Sequence, residues 1–229
     1  MTVLIDPRVS EACERTLMSL GVSVKRLPLS SDLDEPVSGH PDLLVAKLPQ
    51  GELLLTQRYY EANRAFFDGL GHPLRLTEEA FAPQYPRDVL FDALAVKDTL
   101  YGREGAVSQV LRKEYRRFVS VKQGYARCSV AMLSDHAAVT ADRGLTEALR
   151  RDGVRVLAIR PGHIALPGYD CGFIGGAGGR LDERTYVFFG DLASHPDGEA
   201  IRRFAEEQKI SAVSLSDEPI CDRGGILCL

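Results

Sequence analysis

The chain has 229 residues, a formal net charge of −4 and a pI near 5.8, a mildly acidic balance that argues against a general nucleic-acid surface. With 45% hydrophobic and 26% charged residues it is not disordered, collagen-like or a membrane bundle, and no uncharged apolar run approaches the ~18 residues of a spanning helix. The opening segment MTVLIDPRVSEACER gains charge at Asp6 and lacks a basic start. It therefore reads as no secretory signal, which predicts a reducing, cytoplasmic setting with free thiols at Cys13, Cys128, Cys171, Cys221 and Cys228. No C-x-x-C pair occurs, so neither a structural zinc site nor a cofactor is expected.

In chain order, TVLID reads as a strand, SEACERTLMSLG as a helix and VSVKRLPL as a second strand. The polar stretch SSDLDEPVSGHP is the longest loop candidate. From Asp42, DLLVAKLPQGELLL has the apolar–turn–apolar shape of a hairpin; the helix RYYEANRAFFDGLG and the strand PLRLTEE follow. The same order recurs from Asp88 (DVLFDALAVKDTLYG, GAVSQVLRKEYRR, FVSVKQG) and from Cys128 (CSVAMLSDHAAVTA, LTEALRRDG, VRVLAI). It recurs a fourth time from Cys171 (CGFIGGAGGRLDERTYVFFG, DGEAIRRFAEEQ, ISAVSLS). Gly153 is placed to stop its helix.

The two ends supply a fifth unit. The N-terminal segment lacks the first strand of its hairpin, and the C-terminal GGILCL is a strand with nothing after it. Joined, they predict an α/β fold of five hairpin–helix–strand units, closed by pairing of the terminal strands so that no sheet edge is left open. No linker or low-complexity tract interrupts residues 1–229, so one domain is expected. An α/β sandwich with coincidental periodicity is the competing reading.

In a closed ring the first strand of each hairpin lies innermost, so the chemistry should lie near Asp42, Asp88, Cys128, Cys171 and Cys228. The segment VSLSDEPICDRGGILCL resembles the C-terminal segment of the guanidino-group-modifying superfamily. That superfamily includes amidinotransferases, arginine and agmatine deiminases and dimethylarginine hydrolases, and its fold is the five-bladed α/β propeller called the pentein. PDLLVAKLPQGELLL and PRDVLFDALAVKDTLYG are similar to its two Asp-led hairpins. The resemblance implies Cys228 as nucleophile, Asp42 and Asp88 as partners of a guanidinium, and a guanidino or amidine small molecule as ligand.

Departures from the pattern are specific. Tyr85 stands where the superfamily has an acidic residue, and Gln123 or Lys122 where it has a catalytic His; no His lies between His72 and His136. Attack on a guanidinium carbon needs a thiolate, a carboxylate for the planar cation and a proton for the leaving amine. Arg223 or Lys122 would lower the pKa of Cys228 if it faced the channel, and Lys122 or Tyr85 would have to supply the proton. Asp170 is a further candidate for the channel wall, and Lys122, Tyr125 and Arg127 share one level of the third repeat. The glycine run GFIGGAGG lacks the Lys-Ser/Thr of a phosphate loop and reads as a bulged hairpin. A thiol enzyme and a catalytically silent binding protein both remain open, because superfamily relatives include a ribosome anti-association factor without an enzymatic site. The sequence leaves the oligomeric state open.

Overall fold

A computed structural model describes all residues, 1–229. The elements run β1 (Thr2–Ile5), α1 (Glu11–Ser19), β2 (Ser23–Arg26), α2 (Pro41–Leu44), β3 (Ala46–Lys47), β4 (Leu53–Thr56), α3 (Gln57–Ala62), α4 (Arg64–Gly69) and β5 (Leu74–Thr77). They continue β6 (Leu94–Val96), β7 (Thr99–Gly102), α5 (Gln109–Lys113), β8 (Arg117–Ser120), β9 (Val130–Ser134), β10 (Ala137–Thr140), α6 (Arg143–Arg151) and β11 (Arg155–Ala158). The last are β12 (Gly178–Arg180), β13 (Thr185–Phe188), α7 (Gly198–Glu207), β14 (Ser211–Ser214) and β15 (Leu227–Cys228).

These strands form five three-stranded sheets, β15–β1–β2, β3–β4–β5, β6–β7–β8, β9–β10–β11 and β12–β13–β14. In each, the first strand pairs antiparallel with the middle strand, and the middle strand pairs parallel with the third across a helical crossover. The expected closure is present: β1 pairs antiparallel with β15, Val3 opposite Cys228 and Leu4 opposite Leu227. All five first strands line one cavity, which makes them innermost and puts the cavity on the axis.

Local sequence explains the blades. The middle strands β4, β7 and β10 (LLLT, TLYG, AAVT) are buried at every position; in β7 and β10 successive residues enter different inter-blade clusters, Leu100 then Tyr101 and Ala138 then Val139, so neighbouring blades cover both faces. Helix α6 is opened by Asp142, whose carboxylate accepts the Leu145 N–H, and it carries Arg150 and Arg151 in its last turn. It buries Leu145, Ala148 and Leu149, the i, i+3, i+4 face. Ser10, Thr56 and Ser108 cap α1, α3 and α5 in the same way.

The core sits between blades and runs round the ring. One apolar cluster joins Leu4 and Leu227 of the first blade to Leu54 and Leu100 of the next two. A second joins Leu94 and Tyr101 to Val130 and Ala138, and a third joins Leu133 and Val139 to Tyr186 and Phe188. The fourth closes the circle, packing Val187 and Phe189 on Val3 and Ile5.

The structure differs from the sequence reading at the hairpin openings. Inner strands begin at Ala46, Leu94, Val130 and Gly178, downstream of Asp42, Asp88, Cys128 and Cys171. Asp42 lies in the short turn α2, and the residues from Cys171 to Gly176 form a loop tied across the axis. Its ties are Phe173 N–H to Asp222 Oδ2 (2.8 Å) and Gly176 N–H to the Cys128 carbonyl (3.0 Å). Long-range bonds of this kind leave no trace in local periodicity.

Closure predicts a large cost for a change at its core. Leu4→Ala should lose roughly 2–5 kcal/mol in denaturant unfolding, while Met18→Ala on the exposed side of α1 stays within about 0.5 kcal/mol. Equal, small losses at both positions would mean that the first blade does not carry the ring.

Candidate functional site

The axial cavity has a volume of about 530 Å³. Its wall includes Asp42, Lys47, Arg127, Arg180, Tyr186 and Cys228. Cys228 is half-buried; its thiol donates to the Arg180 carbonyl (3.3 Å), and its own carbonyl accepts from Lys47 Nζ (2.9 Å). Burial pushes the Cys228 thiol up, and the charges of Lys47 and Arg127 pull it partly back. Arg180 pairs with Asp135 (3.1 Å), and Arg127 donates to the Val45 carbonyl (3.3 Å). The wall thus offers cations on several sides and one buried carboxylate, Asp42.

Behind this wall, loops that precede the inner strands bring together a second set of groups. Asp92 Oδ1 accepts the N–H groups of Arg127 (2.7 Å) and Cys128 (3.0 Å). Asp222 accepts from Phe173 N–H (2.8 Å) and Gly224 N–H (2.9 Å), and the Cys128 thiol donates to it (3.4 Å). The buried His40 ring stands 3.9–4.0 Å from carboxylate oxygens of Asp6, Asp42 and Asp222. Burial raises Asp92 well above the usual carboxylate range, with Asp42 adding to it; burial also raises Asp222, which His40 partly offsets. Cys128 is pushed well up by burial and then by Asp222, Asp42 and Asp92.

Several of these groups lack partners. Asp42 is 1% exposed, and neither of its oxygens receives a hydrogen bond; Asp92 Oδ2 and His40 Nε2 are likewise unpartnered. One donor atom each from Asp42, Asp92 and Cys128 lies within 4.8 Å of the others. Beyond Cys128 a smaller cavity of about 180 Å³ opens between His40, Tyr125, Tyr169 and Phe173. Tyr85, Tyr125 and Phe173 stack along its side, with ring centroids 5.8–5.9 Å apart.

A family model described as a family of unknown function, DUF6873, matches residues 4–227. The chain belongs to the DUF6873 family. Comparison with curated protein sequences gives no match. Among solved structures, the DDAH of Pseudomonas aeruginosa, as a mutant complexed with citrulline, superposes with a TM-score of 0.57 at 11% identity, covering 94% of this chain and 92% of that one. An amidinotransferase of the saxitoxin pathway from Microseira wollei gives 0.55 at 12% identity, over 96% and 81%. The agmatine deiminase of C. jejuni gives 0.52 at 8% identity, over 94% and 86%. These likenesses establish the fold: the DUF6873 chain is a five-bladed pentein propeller.

Of the residues singled out from the sequence, the structure brings Asp42, Arg127 and Cys228 to the axial cavity. Asp88 is buried elsewhere and accepts a hydrogen bond from the Tyr125 hydroxyl. Gln123 lines a separate cavity of about 200 Å³, where its side chain accepts the Tyr125 N–H (3.1 Å). Lys122 and Asp170 are exposed, and Arg223 lines a small crevice of about 40 Å³ beside Cys13 and Cys221. Tyr85 is exposed and stacks on Tyr125.

Sequence reasoning missed His40, Asp92 and Asp222 as members of the axis. Asp92 did leave a signal, a carboxylate inside the apolar run VLFDALAV, and Asp222 stands two residues before the Gly224–Gly225 pair. That pair is held in the left-handed region, and a Cβ on Gly224 would lie 2.5 Å from the His40 Cα. Gly224→Ala should therefore cost roughly 2–5 kcal/mol, left-handed strain plus overlap with His40. Gly21→Ala, also left-handed but in open space, should cost only the first part, about 1 kcal/mol. Equal unfolding midpoints for the two variants would mean that the Gly224–His40 contact is slack.

Proposed function

We propose that the protein binds a small acid bearing a guanidine or amidine group in the axial cavity, with Cys228 as the thiol placed to attack it. The observation that carries this reading is that Cys228 and Asp42 line one cavity together with Lys47, Arg127 and Arg180. Asp42 is suited to a planar cation through paired N–H donors, and the three basic residues to the ligand's carboxylate. The DDAH and amidinotransferase relatives on this fold agree with a ligand of that class.

In the reaction, the Cys228 sulfur would form a bond to the amidine carbon. The C–N bond to the leaving amine breaks, and the proton lost by the thiol ends on that amine. Water then adds to the carbon, and the thiol is regenerated with release of a proton. Lys47 is a proton-bearing group beside Cys228, whereas Lys122 is exposed. A second reading, binding without turnover, is favoured by the raised pKa of Cys228 and its donation to the Arg180 carbonyl, both of which hold it as a thiol.

Chloroacetamidine, which carries an amidinium and a chloromethyl carbon that alkylates a thiolate with loss of chloride, tests the first reading. It should label Cys228 in the folded protein faster than neutral chloroacetamide does, and the preference should disappear in Asp42→Asn. Absence of labelling, or equal rates with the two reagents, overturns the guanidine reading.

The pH dependence has a definite sign. Because burial raises the Cys228 pKa, the labelling rate should still be climbing above pH ~9.5, about one unit past an ordinary thiol's pKa, where an ordinary thiol levels off. Lys47→Met removes a lowering charge, so at pH 8 the rate should fall below that of the wild type. A rate that is flat from pH 7 would show that Cys228 is already a thiolate.

A further inference from the structure

We infer that Asp42, Asp92 and Cys128 form a binding site for a zinc-class divalent metal ion at the centre of the propeller. Each residue comes from a different blade, and their donor atoms lie within 4.8 Å of one another in a fully buried position. Acidic clusters alone are common. Here the carboxylates are also unpartnered: both oxygens of Asp42 and Oδ2 of Asp92 are shut off from water and receive no hydrogen bond. A buried carboxylate left in that state is costly unless a cation or a proton satisfies it.

The donor set selects the ion. Two carboxylate oxygens and one thiolate suit a borderline-soft ion such as Zn²⁺, whereas Mg²⁺ and Ca²⁺ prefer all-oxygen shells. A tetrahedral site with Zn–S of about 2.3 Å and Zn–O of about 2.0–2.2 Å needs donors roughly 3.5 Å apart, a modest contraction. The surrounding shell is already built. Asp92 is oriented through Oδ1 by the Arg127 and Cys128 N–H groups, which leaves Oδ2 free, and His40 stands 4.0 Å from Asp42 Oδ1. Binding breaks the Cys128 S–H bond, forms a metal–sulfur bond and releases the thiol proton to solvent, so binding strengthens as pH rises.

The site shares Asp42 with the ligand reading above and rests on it in one respect only. Asp42 cannot hold a guanidinium and a metal ion together, so on that reading a bound ion should slow chloroacetamidine labelling of Cys228. Ion binding itself does not depend on Cys228, so the two claims can fail separately.

The test is a titration of the full-length protein, stripped with a chelator and desalted, with ZnCl₂ and with CoCl₂. One ion per chain should bind, with proton release seen as a heat that depends on the buffer. The cobalt form should show a thiolate-to-metal charge-transfer band that persists in Cys228→Ser and is absent in Cys128→Ser. Asp92→Asn should weaken binding at least tenfold, and MgCl₂ should not compete. X-ray absorption of the zinc-loaded wild type, which depends on no variant folding, should show one sulfur neighbour with oxygen or nitrogen neighbours. No binding, no sulfur neighbour, a charge-transfer band surviving in folded Cys128→Ser, or equal affinity for magnesium would overturn the site.

Discussion

Two residue pairs, Val3 with Cys228 and Leu4 with Leu227, join the first and last strands of the chain, and the geometry of the axis depends on them. Without β15 the first blade has no inner strand, the apolar cluster linking Leu227 to Leu54 and Leu100 loses a member, and one side of the axial cavity is open. The closure also places the cavity's thiol. Strand alternation turns Leu227 into the cluster shared with the second and third blades and Cys228 toward the cluster shared with the fifth, and both border the axial cavity because β15 is the innermost strand.

Around that wall the molecule gathers several buried carboxyl groups. Asp42, Asp92 and Asp222 are all nearly inaccessible, and each has a different arrangement of partners. Asp222 is the most fully bound, holding the 171–176 loop, the turn before β15 and the Cys128 thiol at once. It acts as a clasp between the last two blades and the chain end. Asp92 clasps the turn before β9 with one oxygen only. Asp42 clasps nothing through its side chain, although its N–H donates to the Gly224 carbonyl (3.1 Å). The gradation runs from Asp222, engaged through both oxygens, through Asp92, with one oxygen unpartnered, to Asp42, with both unpartnered.

The repeat was legible because middle strands sandwiched on both sides must be apolar throughout. LLL, TLY, AAV and YVF stand out from any half-exposed strand, and Asp142 and Ser108 mark helix starts by ordinary capping. The incomplete units at the two ends then implied the ring. The axis was less legible. Asp88 and Asp92 are four residues apart in one segment; the chain turns between them, with Asp92 N–H bonded to the Val89 carbonyl (3.1 Å) and Ser108 N–H to the Leu90 carbonyl (2.9 Å). Those bonds, the second to a residue well downstream, aim Asp92 rather than Asp88 inward. His40 looked like an ordinary loop residue before a proline. Its position follows from Gly224, nearly the whole chain away, and no short window of sequence contains both.

The same closure sets an order of events during synthesis. Strand β1 is made before the other four blades and its antiparallel partner after them, so the middle strand of the first blade waits with one hydrogen-bonding edge bare until residue 228 emerges. Four blades can form from neighbouring segments as they appear, because each needs only its own hairpin, helix and third strand. The nascent chain is therefore an open arc with an adhesive rim, and the axis, with its thiols and carboxylates, is closed only once β15 has arrived.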